Sequence, residues 1–397
     1  MTTTLAKTDN PTPHSTSGLE SRDTPRIEFL DGLRCVAILA VLLFHYFSRW
    51  TLPLHSASLY PYGNVFAPFF KFGGYGVTLF FIVSGFVITL TLFKCDSLFD
   101  FIYRRFCRLF PAMLLCSVAT FLITSFVPGN LFKTHPASFL PSLTFIDPSI
   151  YNKIFSTTIF DSIDGVYWSL YVEVRFYLLV STIYFLSRKH FLRNTLAFSA
   201  ATFLCTIALD ILHLNGLNQL LEFVAITKTL PWFIIGIGYY LCFVKKPASQ
   251  WLAVVGVGTM QLMVYSKGRV VPTVMAILIP TFFFFAMTNG TVRKILSSRP
   301  LPAIGVCSYS LYLLHQNVGV TLIRFFAARF SLATAQSILL ACLVATALIL
   351  LSYALFQFYE KPANKYLLGV LLKRKRGNPA PLRVSSLPAP IKAEGGR

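Results

Sequence analysis

The chain has 397 residues, of which 55% are apolar and 13% are charged, and its mean hydropathy is +0.64. Soluble domains typically contain ~45–50% apolar and ~25% charged residues, so this composition excludes a soluble globular protein and indicates a polytopic membrane protein surrounded by lipids. A net charge of +20 would suggest nucleic-acid binding in a soluble domain. Cytoplasmic loops of membrane proteins accumulate lysine and arginine, so we expect no nucleic-acid partner.

The two ends of the chain are polar. Residues 1–25 are rich in Thr, Ser and Pro and lack the apolar core of a signal peptide, which predicts a disordered cytoplasmic tail. Residues 363–397 contain the basic run Lys373–Arg376, which predicts a basic cytoplasmic tail near anionic headgroups. Between the two tails, residues 26–362 are predicted to form one transmembrane domain.

A membrane-spanning helix needs ~20 mostly apolar residues. Ten segments approach this length, and they predict an all-α polytopic protein with about ten transmembrane helices. The predicted spans are 31–48, 75–93, 109–127, 167–187, 195–212, 224–244, 251–265, 271–288, 304–325 and 334–358. The segment 251–265 is short and glycine-rich, so nine or eleven spans are alternatives, and whether this segment crosses the membrane fully stays open.

Lysine and arginine are divided unevenly between the two sets of loops. If the N-terminus is cytoplasmic, 25 of the 35 basic residues lie on the inner side, eight on the outer side and two within spans. This bias predicts that both termini are cytoplasmic. Termini on the same side require an even number of spans, which agrees with ten.

The cysteines and the outer loops indicate less about function than the spans do. The eight cysteines include no C-x-x-C pair and none lies in a predicted outer loop, which argues against a disulfide framework or a zinc site. We therefore expect no metal.

The longest outer connection, 128–166, is rich in Ser, Thr, Pro and Asp. A loop of this length is either a functional lid or a mere connector.

The first span, LDGLRCVAILAVLLFHY (residues 30–46), contains Arg34 and His45, although both residue types are costly in hydrocarbon. Eleven helical residues make three turns plus about 20°, so both side chains share one face about 16 Å apart along the axis. Arg34 is predicted near the cytoplasmic surface, as a snorkelling anchor or a fixed cation for a ligand. His45 is predicted in the outer half of the membrane, as a packing residue or a titratable base.

Two further motifs follow in the second and third spans. In GGYGVTLFFIVSGF (residues 73–86) the small residues permit close helix contact, and Ser84 is a candidate for lining a cavity or for packing. In FIYRRFCRLFP (residues 101–111), Arg105 and Arg108 are three positions apart and share a helical face. Clustered arginines suit bidentate phosphate binding, although a positive-inside flank is the alternative.

The fourth and ninth spans contribute the remaining candidates. In YWSLYVEVRFY (residues 167–177), Trp168 fits an interfacial aromatic belt, and Glu173 lies at a depth comparable to that of His45. The carboxylate and the histidine form a candidate acid/base pair, the alternative for Glu173 being an ion pair with a neighbouring arginine. In GVCSYSLYLLHQN (residues 305–317) the polar face is Ser308, Tyr312 and His315. Near the end of the last span, Glu360 is interpreted as an inner-surface helix terminus.

Taken together, these five motifs resemble the acyltransferase 3 family of bacterial integral-membrane O-acyltransferases, in the family's order and over residues 26–362. The family's R-x10-H pattern falls on Arg34 and His45, and its R-x-x-R pattern falls on Arg105 and Arg108. The resemblance implies an enzyme in the bacterial cytoplasmic (inner) membrane. It implies transfer of an acyl group, commonly acetyl, from acyl-CoA to a hydroxyl of an extracytoplasmic or lipid-linked carbohydrate such as an exopolysaccharide, O-antigen or lipo-oligosaccharide.

The resemblance also suggests roles for these residues. Arg105 and Arg108, with Arg34, would hold the phosphates of acetyl-CoA. His45 would act as general base on the acceptor hydroxyl, and Glu173 would orient His45 or stabilise its imidazolium. Ser84, Trp168 and the polar face of span nine would line the substrate route. Longer family members carry an additional esterase-like domain, so this chain is expected to act alone or with a partner.

Three other functions stay open at this point. Some family members acylate small-molecule secondary metabolites. A transporter or flippase would also use intramembrane Glu, His and Arg, although no convincing inverted repeat is visible. A non-catalytic scaffold is the third alternative. The acceptor, the acyl chain length, the oligomeric state and the choice between a covalent acyl-enzyme and direct transfer are not determined by the sequence.

Overall fold

The computed structural model describes residues 27–50, 62, 65–129 and 131–377, and the regular elements in these ranges are helices. The predicted all-α fold is therefore confirmed. The α-helices of the first half are α1 (Glu28–Phe47), α2 (Ala67–Phe70), α3 (Gly76–Leu92), α4 (Leu98–Phe126), α5 (Phe139–Thr144), α6 (Pro148–Ile154), α7 (Trp168–Leu186), α8 (Phe191–Ile211) and α9 (Asn215–Ala225). Those of the second half are α10 (Leu230–Phe243), α11 (Ala248–Tyr265), α12 (Val270–Thr288), α13 (Gly290–Leu296), α14 (Pro300–Val306), α15 (Ser308–Leu314), α16 (Asn317–Arg329), α17 (Thr334–Leu355) and α18 (Lys361–Gly377).

Eight helical segments within the described residues are long and apolar enough to cross a membrane. They are Glu28–Phe47, Ala67–Leu92, Leu98–Phe126, Gly165–Leu186, Arg188–Ile211, Asn215–Phe243, Val270–Thr288 and Thr334–Val370. The predicted span 251–265 corresponds to α11, a continuous helix of 18 residues. With α11 and the segment α14–α16, the bundle has about ten membrane segments, as predicted. The cytoplasmic placement of the termini stays a prediction.

The predicted span 304–325 is divided into three short helices, α14, α15 and α16. The helical run is interrupted at Cys307, between α14 and α15, and again after His315, at Gln316, between α15 and α16, while His315 itself keeps helical dihedral angles and its amide bonds to the carbonyl oxygen of Leu311. Irregular backbone at membrane depth is tolerated where it is buried in protein, and all three of these residues are buried. The breaks expose backbone and side-chain polar groups to neighbouring helices, which positions them for chemistry.

The last span also differs from its prediction. A π-helical segment, Phe356–Glu360, joins α17 to α18 without a break in the helical run. Glu360 is therefore not at a helix terminus on the inner surface but is buried, with a relative exposure of 4%. Short π-helical segments frequently occur at functional sites. The tail boundary predicted at 362 falls inside helical structure, while residues 1–25 and 378–397 lie outside the described residues.

Helix α1 lies at the centre of the bundle and packs against α3 and α14, while α3 also packs against α10. Close contact between α3 and α10 depends on two glycines that face each other's backbone. A Cβ atom at Gly85 would lie 2.1 Å from the carbonyl oxygen of Phe233, and one at Gly236 would lie 2.1 Å from that of Ile82. Close packing of this kind is a main source of helix association in lipid, and it confirms the expected role of the small residues in 73–86.

Candidate active site

A cavity of about 110 Å³ lies between α1, α3, α4, α7 and α15. Seven of the ten residues singled out in the sequence line it: Arg34, Ser84, Arg105, Arg108, Glu173, Ser308 and Tyr312. Apolar side chains, including Phe80, Phe81 and Leu109, complete the wall. The fold therefore brings three arginines and one carboxylate from three helices, α1, α4 and α7, to one cavity, which has room for a small polar group such as a phosphate.

The three arginines of the cavity differ in their partners. Arg34 Nη1 lies 3.4 Å from Asp31 Oδ1, and Arg108 Nη1 lies 3.5 Å from Glu360 Oε2. Arg105 instead donates a 3.0 Å hydrogen bond from Nη2 to the neutral hydroxyl of Thr91 and lies over the ring of Phe101. The cation of Arg105 thus faces the cavity without a contacting carboxylate among the described residues.

Two buried hydrogen-bond donors in this cavity have no partner within the described part of the chain. They are Nε of Arg105 and the hydroxyl of Tyr309, which both belong to residues of the cavity wall. Buried polar groups in native proteins are nearly always hydrogen-bonded, so donors of this kind are places where acceptor atoms of a ligand or of water bind. An anion with several oxygens would satisfy both donors.

Glu173 is held by neutral donors rather than by an ion pair. Its Oε1 accepts hydrogen bonds from Ser84 Oγ at 2.5 Å and from Tyr177 Oη at 2.6 Å. The carboxylate also interacts electrostatically with the guanidinium groups of Arg34 and Arg105. Tyr177 was not singled out in the sequence, although it follows Glu173 by four positions and so lies one helical turn away.

Glu360 is a second carboxylate close to the cavity, whereas its sequence position predicts only an inner-surface helix terminus. It accepts a hydrogen bond from Ser310 on α15 and pairs with Arg108 on α4. These contacts tie the π-helical segment to two helices of the site. The partners are 50 and 252 positions away in sequence, so no spacing rule could have found them.

His45 and His315 form a buried pair from α1 and the end of α15. Their ring centroids are 4.8 Å apart with a nearly perpendicular arrangement, and Nδ1 of His45 lies 3.2 Å from Nε2 of His315. The same Nδ1 lies 2.9 Å from the carbonyl oxygen of Val41. Relative exposures of 7% and 0% place both rings inside the protein. The sequence predicts a place for His315 only in the substrate route.

Tyr312 connects this histidine pair to the cavity. Its ring belongs to the cavity wall and lies 5.4 Å, between centroids, from the ring of His315. Its hydroxyl donates to the carbonyl oxygen of Val166 at 3.0 Å and is 2.8 Å from the hydroxyl of Ser169. Trp168, by contrast, is 48% exposed and contacts Phe81 by its ring edge, which suits a residue at the membrane interface.

The loop before α7 supports the histidine pair through Asp164. This fully buried carboxylate accepts hydrogen bonds from Nε2 of Gln316 at 2.7 Å, from the amide of Asn317 at 2.9 Å and from the amide of Val166 at 3.1 Å. Burial raises the pKa of Asp164 to about 7, although these three hydrogen bonds each lower it. The predicted outer loop 128–166 therefore ends in a residue that holds the break between α15 and α16.

Fold and site together define a polytopic, all-helical membrane protein with a buried arginine-lined cavity beside a histidine pair. The chain belongs to the acyltransferase 3 family, because the family model Acyl_transf_3, described as an acyltransferase domain, matches residues 27–359. The resemblance noted in the sequence is thereby confirmed over nearly all of the predicted transmembrane domain.

Several curated proteins are similar to this chain. The O-acetyltransferase OatA of Staphylococcus aureus (strain NCTC 8325 / PS 47) is 27% identical over 342 residues, covering 75% of this chain and 51% of the relative. The O-acetyl transferase of Shigella phage Sf6 is 28% identical over 153 residues, or 38% of this chain and 43% of the relative. The chain spans about half the length of the curated relatives that it matches over most of its own length.

A third relative is the peptidoglycan O-acetyltransferase OatA of Listeria monocytogenes serovar 1/2a. It is 29% identical over 163 residues, which cover 38% of this chain and 23% of the relative. No solved structure matches the chain. Within the described ranges, no group of three or more His, Cys, Asp or Glu residues is arranged to hold a metal ion.

Proposed function

We propose that the protein is a membrane-embedded O-acetyltransferase of the bacterial cytoplasmic membrane. It moves an acetyl group from cytoplasmic acetyl-CoA to a hydroxyl of an extracytoplasmic or lipid-linked carbohydrate. The observation that carries this proposal is a cavity next to a buried histidine pair, lined by three arginines and by two donors that have no partner among the described residues. The names of the relatives, two of which are O-acetyltransferases of the OatA type, support the acetyl group.

The donor would bind at the arginine end of the cavity. Acetyl-CoA carries a diphosphate and a 3′-phosphate, and arginine forms charge-assisted, often bidentate hydrogen bonds with phosphate oxygens. Arg105 is the main candidate because its Nε has no partner among the described residues and its charge has no contacting carboxylate. Arg108 and Arg34 add positive charge, although each also contacts a carboxylate.

The distance between Arg34 and His45 along α1 suits a site that binds the donor phosphates at one end and carries out the transfer at the other. Arg34 and His45 belong to one uninterrupted helix, so the rise of an α-helix separates them by about 16 Å. Along α15, the cavity wall runs from Ser308 to Tyr312, and His315 follows less than one turn later. A donor anchored by its phosphates at Arg105 would extend its pantetheine arm along this wall towards His45.

At the histidine end, His45 would act as general base. Its Nε2 takes the proton of the acceptor hydroxyl while the oxygen attacks the thioester carbonyl, so that a C–O bond forms. The C–S bond then breaks, and the CoA thiolate leaves and receives the proton from Nε2 of His45. The products are the acetyl ester and free CoA. Glu173 would supply negative charge that stabilises the transient imidazolium, acting across the cavity.

The remaining polar residues would shape the acceptor route. Ser308 and Tyr312 belong to the cavity wall next to the histidines, and Ser84 holds the carboxylate of Glu173. Trp168 is exposed at the start of α7 and would contact the carbohydrate or its lipid carrier at the interface. Exopolysaccharide, O-antigen and lipo-oligosaccharide units are the acceptor classes that we propose, and the peptidoglycan named for the Listeria relative belongs to the same carbohydrate chemistry.

The proposal is tested with the full-length protein in detergent or liposomes and labelled acetyl-CoA. We expect acetyl transfer or slow acetyl-CoA hydrolysis that falls by about 10²–10⁴-fold in His45→Ala, while membrane insertion and thermal stability are retained. His213→Ala is the matched control, because His213 is an exposed histidine outside the cavity wall. Full turnover in His45→Ala would exclude the general-base role. Mass spectrometry of cellular glycans with and without the gene would identify the acceptor through a lost acetyl group.

A further inference from the structure

We propose that His315 is a positioning residue that holds His45 in the tautomer and orientation required of a general base. This inference rests on the proposed function of His45 and assigns His315 a role other than lining the substrate route. It is drawn from the contact between Nε2 of His315 and Nδ1 of His45. The loop carboxylate of Asp164 fixes the backbone that carries His315.

The hydrogen-bond partners determine where the protons lie. Nδ1 of His45 is 2.9 Å from the carbonyl oxygen of Val41, and a carbonyl oxygen only accepts, so this Nδ1 carries the proton. Nδ1 of His315 is 2.8 Å from the carbonyl oxygen of Tyr312 and is protonated for the same reason. A neutral imidazole has one protonated nitrogen. Both lone pairs are therefore on Nε2.

These proton positions make His45 the donor and His315 the acceptor in the contact between the two rings. The Nδ1–H of His45 points to two acceptors, the carbonyl oxygen of Val41 and Nε2 of His315. The lone pair needed to take a proton from a hydroxyl is on Nε2 of His45, and the side chain of Gln316 is a further hydrogen-bond partner of this ring. When His45 becomes an imidazolium, its Nδ1–H remains hydrogen-bonded to His315, which stays neutral throughout. The role corresponds to that of the residue that orients the histidine in a hydrolase triad.

The position of His315 is fixed by the irregular backbone between α15 and α16. The next two residues, Gln316 and Asn317, both donate to the carboxylate of Asp164, and Asn317 Nδ2 also donates to the carbonyl oxygen of Ile163 at 3.0 Å. These bonds join the outer loop to the break in the helix. A continuous helix here would not offer the same backbone amide and side chain to one carboxylate.

Packing on the other sides leaves the two rings little freedom. The ring of Phe44 meets the ring of His45 edge-on at 5.0 Å between centroids, and the ring of Tyr312 lies 5.4 Å from that of His315. A base locked by packing and by a second hydrogen-bonding residue is the arrangement expected of a precise catalytic site. His315 thus acts on the reaction only through His45.

The decisive experiment compares two amides of different reach at position 315. In His315→Gln the amide group falls near the place of Nε2 and can accept from Nδ1–H of His45, whereas the shorter side chain of His315→Asn cannot. We expect kcat of His315→Gln within about threefold of wild type. We expect kcat to fall roughly tenfold to a hundredfold in His315→Asn and His315→Leu. This loss is part of the ~10²–10⁴-fold rate acceleration that a positioned general base supplies. KM for acetyl-CoA should stay the same in all three.

A double-mutant comparison separates positioning from a merely structural role. If His315 acts through His45, adding His315→Leu to His45→Ala should not lower the residual rate further, because coupled residues are non-additive. Additive losses, or equal rates for His315→Gln and His315→Asn, would overturn the inference. Loss of activity in His45→Ala with wild-type activity in His315→Leu would reject the inference alone. Wild-type activity in His45→Ala would instead reject the proposed base.

A spectroscopic measurement requires no turnover. In the wild-type protein labelled with ¹⁵N-histidine, nitrogen chemical shifts distinguish the two neutral tautomers, and the His45→Ala spectrum assigns the signals of His45. We expect His45 to be protonated at Nδ1 and its signals to broaden in His315→Leu. A wild-type His45 protonated at Nε2 would contradict the inference even if the protein transferred acetyl groups.

Discussion

Arg108 on α4 and Glu360 on the π-helical segment meet at 3.5 Å across 252 positions of the chain. The carboxylate is buried, with a side-chain exposure of 5%, and the guanidinium is partly buried at 31%. Ser310 donates a further hydrogen bond to the same carboxylate. The contact holds the last transmembrane helix against the wall of the cavity, so it connects the stability of the bundle to the site.

Removing Glu360 should destabilise the protein. Glu360→Ala leaves the cation of Arg108 and the hydroxyl of Ser310 without their acceptor, and a buried group that loses its partner costs about 1–3 kcal/mol. We expect a lower thermal unfolding temperature in detergent. Asp100→Ala removes another carboxylate that pairs with an arginine of α4, Arg104, and serves as the comparison. An unfolding temperature unchanged by Glu360→Ala would mean that the pair contributes nothing to the fold.

Arg105 should control donor affinity. We expect Arg105→Ala to raise KM for acetyl-CoA by about tenfold or more, since a charge-assisted hydrogen bond contributes ~1.5–3 kcal/mol. The carbohydrate KM should change little. Isothermal titration with CoA, whose phosphates are the same, measures the effect without catalysis.

The adjacent arginine provides the control for this measurement. Arg104 pairs with Asp100 at 2.9 Å and is absent from the cavity wall. Arg104→Ala should therefore leave CoA binding unchanged. If Arg104→Ala and Arg105→Ala weakened binding equally, the general positive charge of this face, rather than the cavity, would bind the donor.

Asp164 should make stability depend on pH. Its pKa rises from the ordinary 3.8 to about 7 because the carboxyl is buried. Between these two values the folded protein holds a proton that the unfolded chain releases, so the free energy of unfolding falls as pH rises from about 4 to about 7. Asp164→Asn cannot titrate, and we expect a smaller difference between its unfolding temperatures at pH 5 and pH 7.5. An identical difference in both proteins would contradict this assignment.

Gly85 should tolerate no side chain. A methyl group there would lie 2.1 Å from the backbone oxygen of Phe233, so Gly85→Ala must push α3 away from α10, and overpacking of this kind typically costs about 1–3 kcal/mol. We expect a lower unfolding temperature and less folded protein in the membrane fraction. Gly256→Ala on α11 is the matched control, because a Cβ there would meet nothing within 4 Å. Equal stability of the two variants would argue against close α3–α10 contact.

The sequence determined the class of the protein because hydropathy and charge are local properties. Stretches of about 20 apolar residues require helices in lipid, since every backbone polar group must be satisfied within the segment. The spacing of Arg105 and Arg108 likewise required a shared helical face, and both arginines do line the cavity. The five ordered motifs carried the family resemblance for the same reason, because each is a short local pattern.

Only the tertiary structure decided which polar groups meet. The sequence pairs Glu173 and His45 by depth alone, whereas the hydrogen bonds of Glu173 come from Ser84 and Tyr177 and the ring of His45 lies against His315. Spacing along a helix predicts only the depth of a side chain in the membrane. The rotation of each helix about its axis and the identity of its neighbours decide which side chains meet. Helix packing determined both, and the backbone break after α15, held by Asp164, brought His315 to His45.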